Sequence, residues 1–175
     1  MEITTRLAEG RDYEAALVVW REANVARDRS PTAARERRIQ EKLADPKASV
    51  LVAALKGREV VGMLLAEPGL ADGLLPVADL GHISMVFVQS RSWRTGAGSS
   101  LLTAVEPVAR TRGWQRLSLW TRESNIPAQR LYEKVGFART GATKPLSEND
   151  LIGRWERRLP LGDSSSEGPG TPTTR

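Results

Sequence analysis

The segment from Val88 to Leu102 limits the possible folds of this chain most strongly, because it joins an apolar, β-like run to an amphipathic helix through a glycine turn. Gly96 and Gly98 carry no side chains, so the backbone N–H groups of the turn can approach an anion closely. The positive end of the helix macrodipole attracts an anion to the same place. The segment therefore predicts a phosphate-binding turn, although an ordinary helix-capping turn uses glycine in the same way.

A second segment, residues 125–137, follows at the distance that one helix and one strand would occupy. It reads Asn-Ile-Pro-Ala-Gln-Arg-Leu-Tyr-Glu-Lys-Val-Gly-Phe. Together the two segments resemble the GCN5-related N-acetyltransferase (GNAT) superfamily, which uses acetyl-CoA to acetylate amines. The resemblance covers residues 2–158, and its specific motifs lie within residues 79–102 and 117–137.

Size and composition indicate one globular domain with a real core. The chain has 175 residues, of which 40% are hydrophobic, and we expect the domain to occupy residues 1–159. Residues 160–175 are rich in Ser, Gly, Pro and Thr, which predicts a flexible tail. The chain has no cysteine and one histidine. Disulfides, thiolate zinc sites and a cysteine nucleophile are thereby excluded, and we expect no metal.

The charge and hydropathy patterns bear on location and partners. No apolar run approaches the length of a membrane span, and the first residues lack an apolar signal core, so we expect a cytoplasmic protein without a membrane partner. The net charge is +5, and one early segment gathers six basic residues: Arg27, Arg29, Arg35, Arg37, Arg38 and Lys42. Interleaved acids and missing aromatics favour a solvated helical face over a nucleic-acid-binding surface. The sequence leaves open whether the protein forms a homodimer.

Hydrophobic periodicity predicts an alternation of strands and helices. The expected strands are 2–6, 49–55, 60–66, 79–88, 117–121, 137–142 and 151–159, and the expected helices start at Asp12, Ser30, Gly98 and Asn125. Residues 56–59 predict a hairpin turn and residues 68–76 a loop. The resemblance implies a mixed α/β class, specifically the GNAT fold. That fold is a twisted, mostly antiparallel sheet flanked by helices, whose central fourth and fifth strands splay apart to admit the cofactor.

The family register implies a set of cofactor-binding residues. In the family the strand ends in a valine eight residues before the first glycine of the turn, and Val88 stands eight before Gly96. The strand backbone would bind the pantetheine arm of acetyl-CoA, and the N–H groups of the turn would hold the pyrophosphate; the residues are Val86, Phe87, Val88, Arg94, Thr95, Gly96, Ala97, Gly98 and Ser99. Trp93 replaces the family's usual Gln or Arg, which we expect to alter affinity without abolishing binding.

The second motif contributes a candidate general acid. The resemblance implies that Tyr132 protonates the departing CoA thiolate and that the Asn125 side chain binds the pantetheine. A phenol suits this step, because its ordinary pKa near 10 is close to that of an alkyl thiol. Taken alone, Tyr132 would be a core aromatic and Asn125 a helix cap.

His82 is the candidate general base. Strict alternation along its strand would place it on one face with Ser84, Val86 and Val88. Family members have a catalytic glutamate or histidine at this offset, and an imidazole could accept a proton from the incoming amine directly or through water. A hydrogen-bonded structural histidine is the alternative. Weaker candidates for this role are Glu67, Asp79 and Glu123.

The favoured function is direct acetyl transfer to the primary amine of a small molecule, either an amino-acid-like metabolite or an amine antibiotic. The nearest alternative acceptor is a protein N-terminus or lysine. Trp120 replaces a glutamate that is common in the ribosomal-protein acetyltransferases of the family, which weakens that alternative. An acyl-CoA-binding regulator without activity and a basic nucleic-acid-binding module are the alternatives from other classes.

Overall fold

The computed structural model describes residues 2–55, 59–71 and 74–160. These residues form one seven-stranded sheet and four α-helices. The strands are β1 (Ile3–Leu7), β2 (Ser49–Leu55), β3 (Val60–Ala71), β4 (Leu75–Val88), β5 (Arg116–Arg122), β6 (Ala138–Ser147) and β7 (Asp150–Arg158). The helices are α1 (Tyr13–Val25), α2 (Ala33–Ala44), α3 (Ala97–Thr111) and α4 (Ile126–Lys134). The mixed α/β class and the order of elements expected from the sequence are confirmed.

The strand order across the sheet is β1-β2-β3-β4-β5-β7-β6, and β4 and β5 are its one parallel pair. Every other neighbouring pair is antiparallel. The parallel pairing starts at Leu80 with Arg116 and ends at Ile83 with Leu119. From there β4 runs on to Val88 and β5 to Arg122 without pairing to each other. The two central strands therefore diverge, as the GNAT fold requires.

Each face of the sheet is covered by its own pair of helices. One core lies on the α3 and α4 side and contains Leu101, Leu102, Val105, Leu117 and Trp155. The other lies on the α1 and α2 side and contains Leu17, Trp20, Leu43, Met63 and Met85. The apolar stripe predicted for α3 therefore packs against the sheet, which positions the glycine turn at the helix start beside β4.

The predicted loop 68–76 is wrong, because β3 continues to Ala71 and β4 already begins at Leu75. Pro68 suggested a loop, yet β2 pairs with β3 only as far as Ala66. Beyond that point β3 is an edge on one side, where proline costs no ladder hydrogen bond. Residues 72–73, part of the predicted turn at 56–59 and the predicted tail from 161 lie outside the described residues.

A register shift in β4 changes the predicted facing of His82. Leu65 pairs with Met85 and Ala66 with Ile83, so Ser84 is an extra residue between the two pairs. Such a bulge reverses the alternation of faces. Ile83 and Val86 both pack toward α3, whereas Met85 packs toward α1. His82 is therefore on the α1 and α2 side, opposite to Val86 and Val88.

Candidate active site

A cavity of about 730 Å³ opens where β4 and β5 diverge. Its walls come from the end of β4, the glycine turn, the first residues of α3 and one face of α4. Of the predicted site residues, Val86, Val88, Arg94, Gly96, Ala97, Gly98, Ser99, Asn125 and Tyr132 line it. Phe87, Thr95 and His82 do not. The two motif segments, residues 88–102 and 125–137, thus meet around one space, as the family resemblance implies.

The glycine turn presents to this cavity backbone N–H groups that have no partner within α3. Gly96 has a φ of 93° and is the N-cap of α3, and the first helical bond runs from Ser100 N to Gly96 O. The N–H groups of the residues before Ser100 therefore have no partner within the helix. Ala97, Gly98 and Ser99 line the cavity, so the start of α3 fits a phosphate group in charge and in donor supply.

Gly98 leaves little room for a side chain beside α4. A Cβ atom at this position would lie 2.9 Å from Leu131 Cδ2 on α4. Gly96 differs, since a Cβ there would meet nothing within 4 Å and its positive φ is the reason for glycine. The two glycines of the motif thus serve different physical needs, one in helix packing and one in the turn.

Three residues of β4 are predicted to bind the pantetheine arm through their backbone. Two of them direct their backbone groups into the gap between β4 and β5. Gln89 N donates to Val61 O at 2.9 Å. Because hydrogen-bonding residues alternate in an antiparallel pair, Phe87 also bonds toward β3, and Val86 and Val88 direct their backbone groups into the gap. The Phe87 side chain packs on the α1 side of the sheet.

Trp93 occupies part of the exposed strand edge. Its indole Nε1 donates to the carbonyl oxygen of Val88 at 2.9 Å. The residue that departs from the family pattern therefore contacts the strand that the family pattern assigns to the cofactor. The carbonyl keeps a second lone pair for another donor.

Helix α4 brings a cap and two cations to the opposite wall. Asn125 is its N-cap, with Oδ1 accepting from Ala128 N at 3.4 Å, which confirms the predicted cap. Arg130 and Lys134 line the cavity four residues apart on one helix face. Neither was singled out from the sequence, and their spacing on the motif helix was the available signal.

Tyr132 is packed so that its ring is fixed and its hydroxyl remains available. The side chain is 8% exposed, and its ring lies 6.1 Å from Phe137 and 6.3 Å from Trp155 in edge and tilted contacts. Its hydroxyl makes no hydrogen bond to any described residue. Burial raises the pKa of Tyr132 to about 12, and the charge of Arg27 acts in the opposite direction. The phenol is therefore protonated at neutral pH, as a proton donor must be.

Arg27 is a cavity residue that sequence reasoning assigned to a solvated face. It lines the cavity from the connection between α1 and α2. Its guanidinium lies 5.8 Å from the centre of the Phe87 ring, and burial lowers the pKa of Arg27. Among the described residues it makes no ion pair. Only a fold that brings residue 27 beside residue 132 could reveal this position.

His82 is half-buried and is held by one hydrogen bond. Its Nδ1 lies 3.2 Å from Ser118 Oγ on β5, and Nε2 has no partner in the described part of the chain. Burial lowers the pKa of His82, the nearby Glu67 charge acts to raise it, and the Lys42 charge acts to lower it further. The imidazole is therefore neutral at pH 7 and can accept a proton.

Three carboxylates were named as weaker candidates for the general base, and each of them forms an ion pair. Glu67 sits directly across from His82 on β3 and accepts from Lys42 Nζ at 2.6 Å. Asp79 pairs with Arg116 at 3.1 Å, and Glu123 with Arg139 at 2.6 Å. Of the three, Glu67 alone shares the sheet face of His82.

Neither a metal site nor a membrane-spanning helix finds support in the described ranges. No group of three or more histidine or acidic residues there could hold a metal ion. No helix in the same ranges is long and apolar enough to cross a membrane.

Three solved structures illustrate the similarity of the fold. The ribosomal-protein-S18-alanine N-acetyltransferase from Escherichia coli is 18% identical, with 94% of this chain and 98% of that chain covered and a TM-score of 0.72. Ard1 from Thermoplasma volcanium is 23% identical over 92% and 100%, with a TM-score of 0.70. A protein provisionally assigned as a phosphinothricin N-acetyltransferase is 21% identical over 91% and 100%, with a TM-score of 0.71.

A comparison with curated proteins gives no match. The sequence model of the acetyltransferase (GNAT) family, in contrast, matches residues 14–137. This range contains all of α1 except its first residue, both motif segments and every residue of the cavity described above. The chain therefore belongs to the GNAT family of acetyltransferases and is an acyltransferase enzyme.

Proposed function

We propose that this protein transfers the acetyl group of acetyl-CoA directly to the primary amine of a small molecule. The observation that carries the proposal is one cavity lined both by the start of α3, whose first N–H groups have no partner within the helix, and by the buried Tyr132. When bound, acetyl-CoA would supply the activated acyl group as a thioester. The residues present fit it, because the cavity combines a phosphate-type cradle with the cationic side chains of Arg94, Arg130 and Lys134.

The residues of the chain divide the reaction into binding, orientation and proton transfer. The N–H groups of the turn and the three cations would hold the pyrophosphate. The backbone of Val86 and Val88 would orient the acyl arm along β4. A new C–N bond forms as the C–S bond breaks, while one proton leaves the amine and one reaches the sulfur.

Two side chains are assigned to the proton transfers. His82, or a water it holds through Nε2, accepts the proton of the amine. Tyr132 donates its phenolic proton to the departing thiolate, for which its protonated state at neutral pH is suited. The two lie on opposite sides of the sheet opening, which supports separate acid and base roles.

The direct test combines thiol release with product identification. Purified protein, acetyl-CoA and a panel of primary amines should release CoA and an equal amount of N-acetyl product, measured by a thiol reagent and by mass spectrometry. No acetylated protein should accumulate without amine. Thiol release without acetylated amine would contradict the proposal.

The alternative functions can be distinguished by the same assay together with binding measurements. Peptides with free N-termini test the protein-acceptor alternative, which draws support from the fold likeness to the ribosomal-protein-S18-alanine N-acetyltransferase from Escherichia coli. Binding of acetyl-CoA without turnover on any amine would indicate a regulator, and salt-sensitive binding of DNA or RNA a nucleic-acid module. A cytoplasmic location stays a prediction of the sequence, and the sequence leaves open whether the protein forms a homodimer.

A further inference from the structure

Four arginines gather on the α1 and α2 side of the sheet opening. Arg27 and Arg29 belong to the connection after α1, Arg35 to the first turns of α2, and Arg122 to the last position of β5. The sequence offered three of them only as members of a basic run.

The strand register relates this group to His82. Ser118 is paired with His82 across β4 and β5, and Ser118 Oγ contacts the imidazole. Arg122 lies four residues after Ser118 on β5. Since residues two and four apart in a strand share a face, Arg122 is on the His82 side of the sheet. The distance along the strand is about 13 Å, well within the combined reach of an arginine and a small ligand.

Buried Asn24 fixes the geometry of the connection. It is 2% exposed, and its carbonyl oxygen accepts from the backbone nitrogens of Arg27 and Arg29, both at 3.0 Å. Its side-chain Oδ1 accepts from Arg35 Nη2 at 3.0 Å. The Arg35 guanidinium also lies 5.5 Å from the centre of the Trp20 ring. One core residue thus organises three of the four arginines before any ligand arrives.

Three of the four arginines, Arg27, Arg29 and Arg35, form no ion pair with any described residue, and only Arg122 has a carboxylate partner. Arg122 pairs with Asp150, but the Arg29 side chain makes no hydrogen bond and no ion pair with any described residue. Asp28, between Arg27 and Arg29, is exposed and likewise makes no ion pair in the described ranges. Glu36, one residue after Arg35, is engaged by Arg21.

The electrostatic consequence is mutual repulsion. The charge of Arg35 contributes, after burial, to lowering the pKa of Arg29. The charges of Arg29 and Arg35 act in the same way on Arg122. A bound anion would relieve this repulsion, and guanidinium groups pair with oxyanions through two parallel hydrogen bonds.

We propose that Arg29, Arg35 and Arg122 bind an anionic group of the acceptor, so that the preferred acceptor is an amine bearing a carboxylate or a similar oxyanion. This proposal rests on the proposed acetyl transfer. The amine of the acceptor would face His82, and its anionic group would face Arg29, Arg35 and Arg122. Arg27, which reaches both the connection and the cavity that Tyr132 lines, would connect the two ends. An amine antibiotic without an anionic group would be a poor acceptor.

The test uses matched acceptors that differ only in charge. An α-amino acid panel is compared with the corresponding α-carboxamides, and aminoalkylphosphonates separate carboxylate recognition from recognition of any oxyanion. The wild-type enzyme should have a kcat/KM at least tenfold higher for the acids than for the amides. Arg29→Gln, which removes no hydrogen bond within the protein, should raise KM for the acids about tenfold and leave KM for the amides unchanged.

Arg38→Gln is the matched control, because Arg38 is exposed on α2 and makes no ion pair in the described ranges. It should leave both KM values unchanged. Equal kcat/KM for acids and amides, or an equal change for both in Arg29→Gln, would overturn the proposal while acetyl transfer stands.

Absence of turnover with every amine would instead count against the proposed function. In that case calorimetry of the CoA-saturated protein with acids and amides still decides the role of the cluster. Binding of acids alone supports it, and equal binding or no binding of both overturns it.

Discussion

The indole N–H of Trp93 is hydrogen-bonded to the carbonyl oxygen of Val88 at 2.9 Å. This bond joins the glycine turn to the strand edge that is free because β5 has diverged. Trp93→Phe removes the donor but keeps an aromatic ring, and the carbonyl has a second lone pair in any case. The dissociation constant of acetyl-CoA, measured by calorimetry, should therefore change less than about threefold, a free-energy difference below 1 kcal/mol. A larger loss of affinity would make the indole itself part of the cofactor site.

Ser99→Asp separates cofactor binding from folding. Ser99 lies in the first turn of α3 and lines the cavity, so an added carboxylate favours the helix dipole and repels a phosphate. Acetyl-CoA should bind about tenfold more weakly or worse, roughly 1.4 kcal/mol, while the melting temperature is unchanged or higher. Thr103→Asp adds the same charge at an exposed position of α3 and should leave affinity unchanged. Equal affinities of the two variants would remove the phosphate assignment.

Gly81→Ala should destabilise the protein. A Cβ atom there would overlap Trp114 and approach Leu117 Cδ2 to 2.8 Å, and both neighbours are buried in the core. Overpacking of this kind costs about 1–3 kcal/mol, measurable as a lower denaturant midpoint. Gly10→Ala is the control, because a Cβ there meets nothing within 4 Å. If both variants unfold at the wild-type midpoint, the contact between β4 and Trp114 is looser than described.

The pH dependence of turnover tests His82. Burial lowers the pKa of His82. The acidic limb of kcat, measured at saturating acceptor, should therefore lie at a lower pH than the ordinary histidine pKa of about 6.5. The same shift makes the folded state lose stability as the pH drops below 6.5, because the unfolded chain binds the proton more readily. His82→Ala should lower kcat about 10²-fold and abolish this acidic limb. A folded variant with the wild-type rate and limb would reduce His82 to a structural residue.

The sequence predicted most of the fold and about half of the site. The turn at Gly96, the cap at Asn125 and the buried Tyr132 were accessible because their motifs are local and each carries its own geometry. The facing of His82 was not, since the extra residue at Ser84 is a matter of pairing with β3. The cavity position of Arg27 was also not accessible, because charge patterning along one helix cannot report which strand end the preceding connection crosses.

Tyr132→Phe tests the proposed chemistry most directly. The ring contacts with Phe137 and Trp155 and the cavity shape are preserved, and only the proton donor is lost. With a primary amine acceptor, kcat should fall about 10²-fold while the dissociation constant of acetyl-CoA stays within about twofold of wild type. A Tyr132→Phe enzyme with wild-type kcat and wild-type affinity would contradict the assignment of Tyr132 as the acid that protonates the departing thiolate.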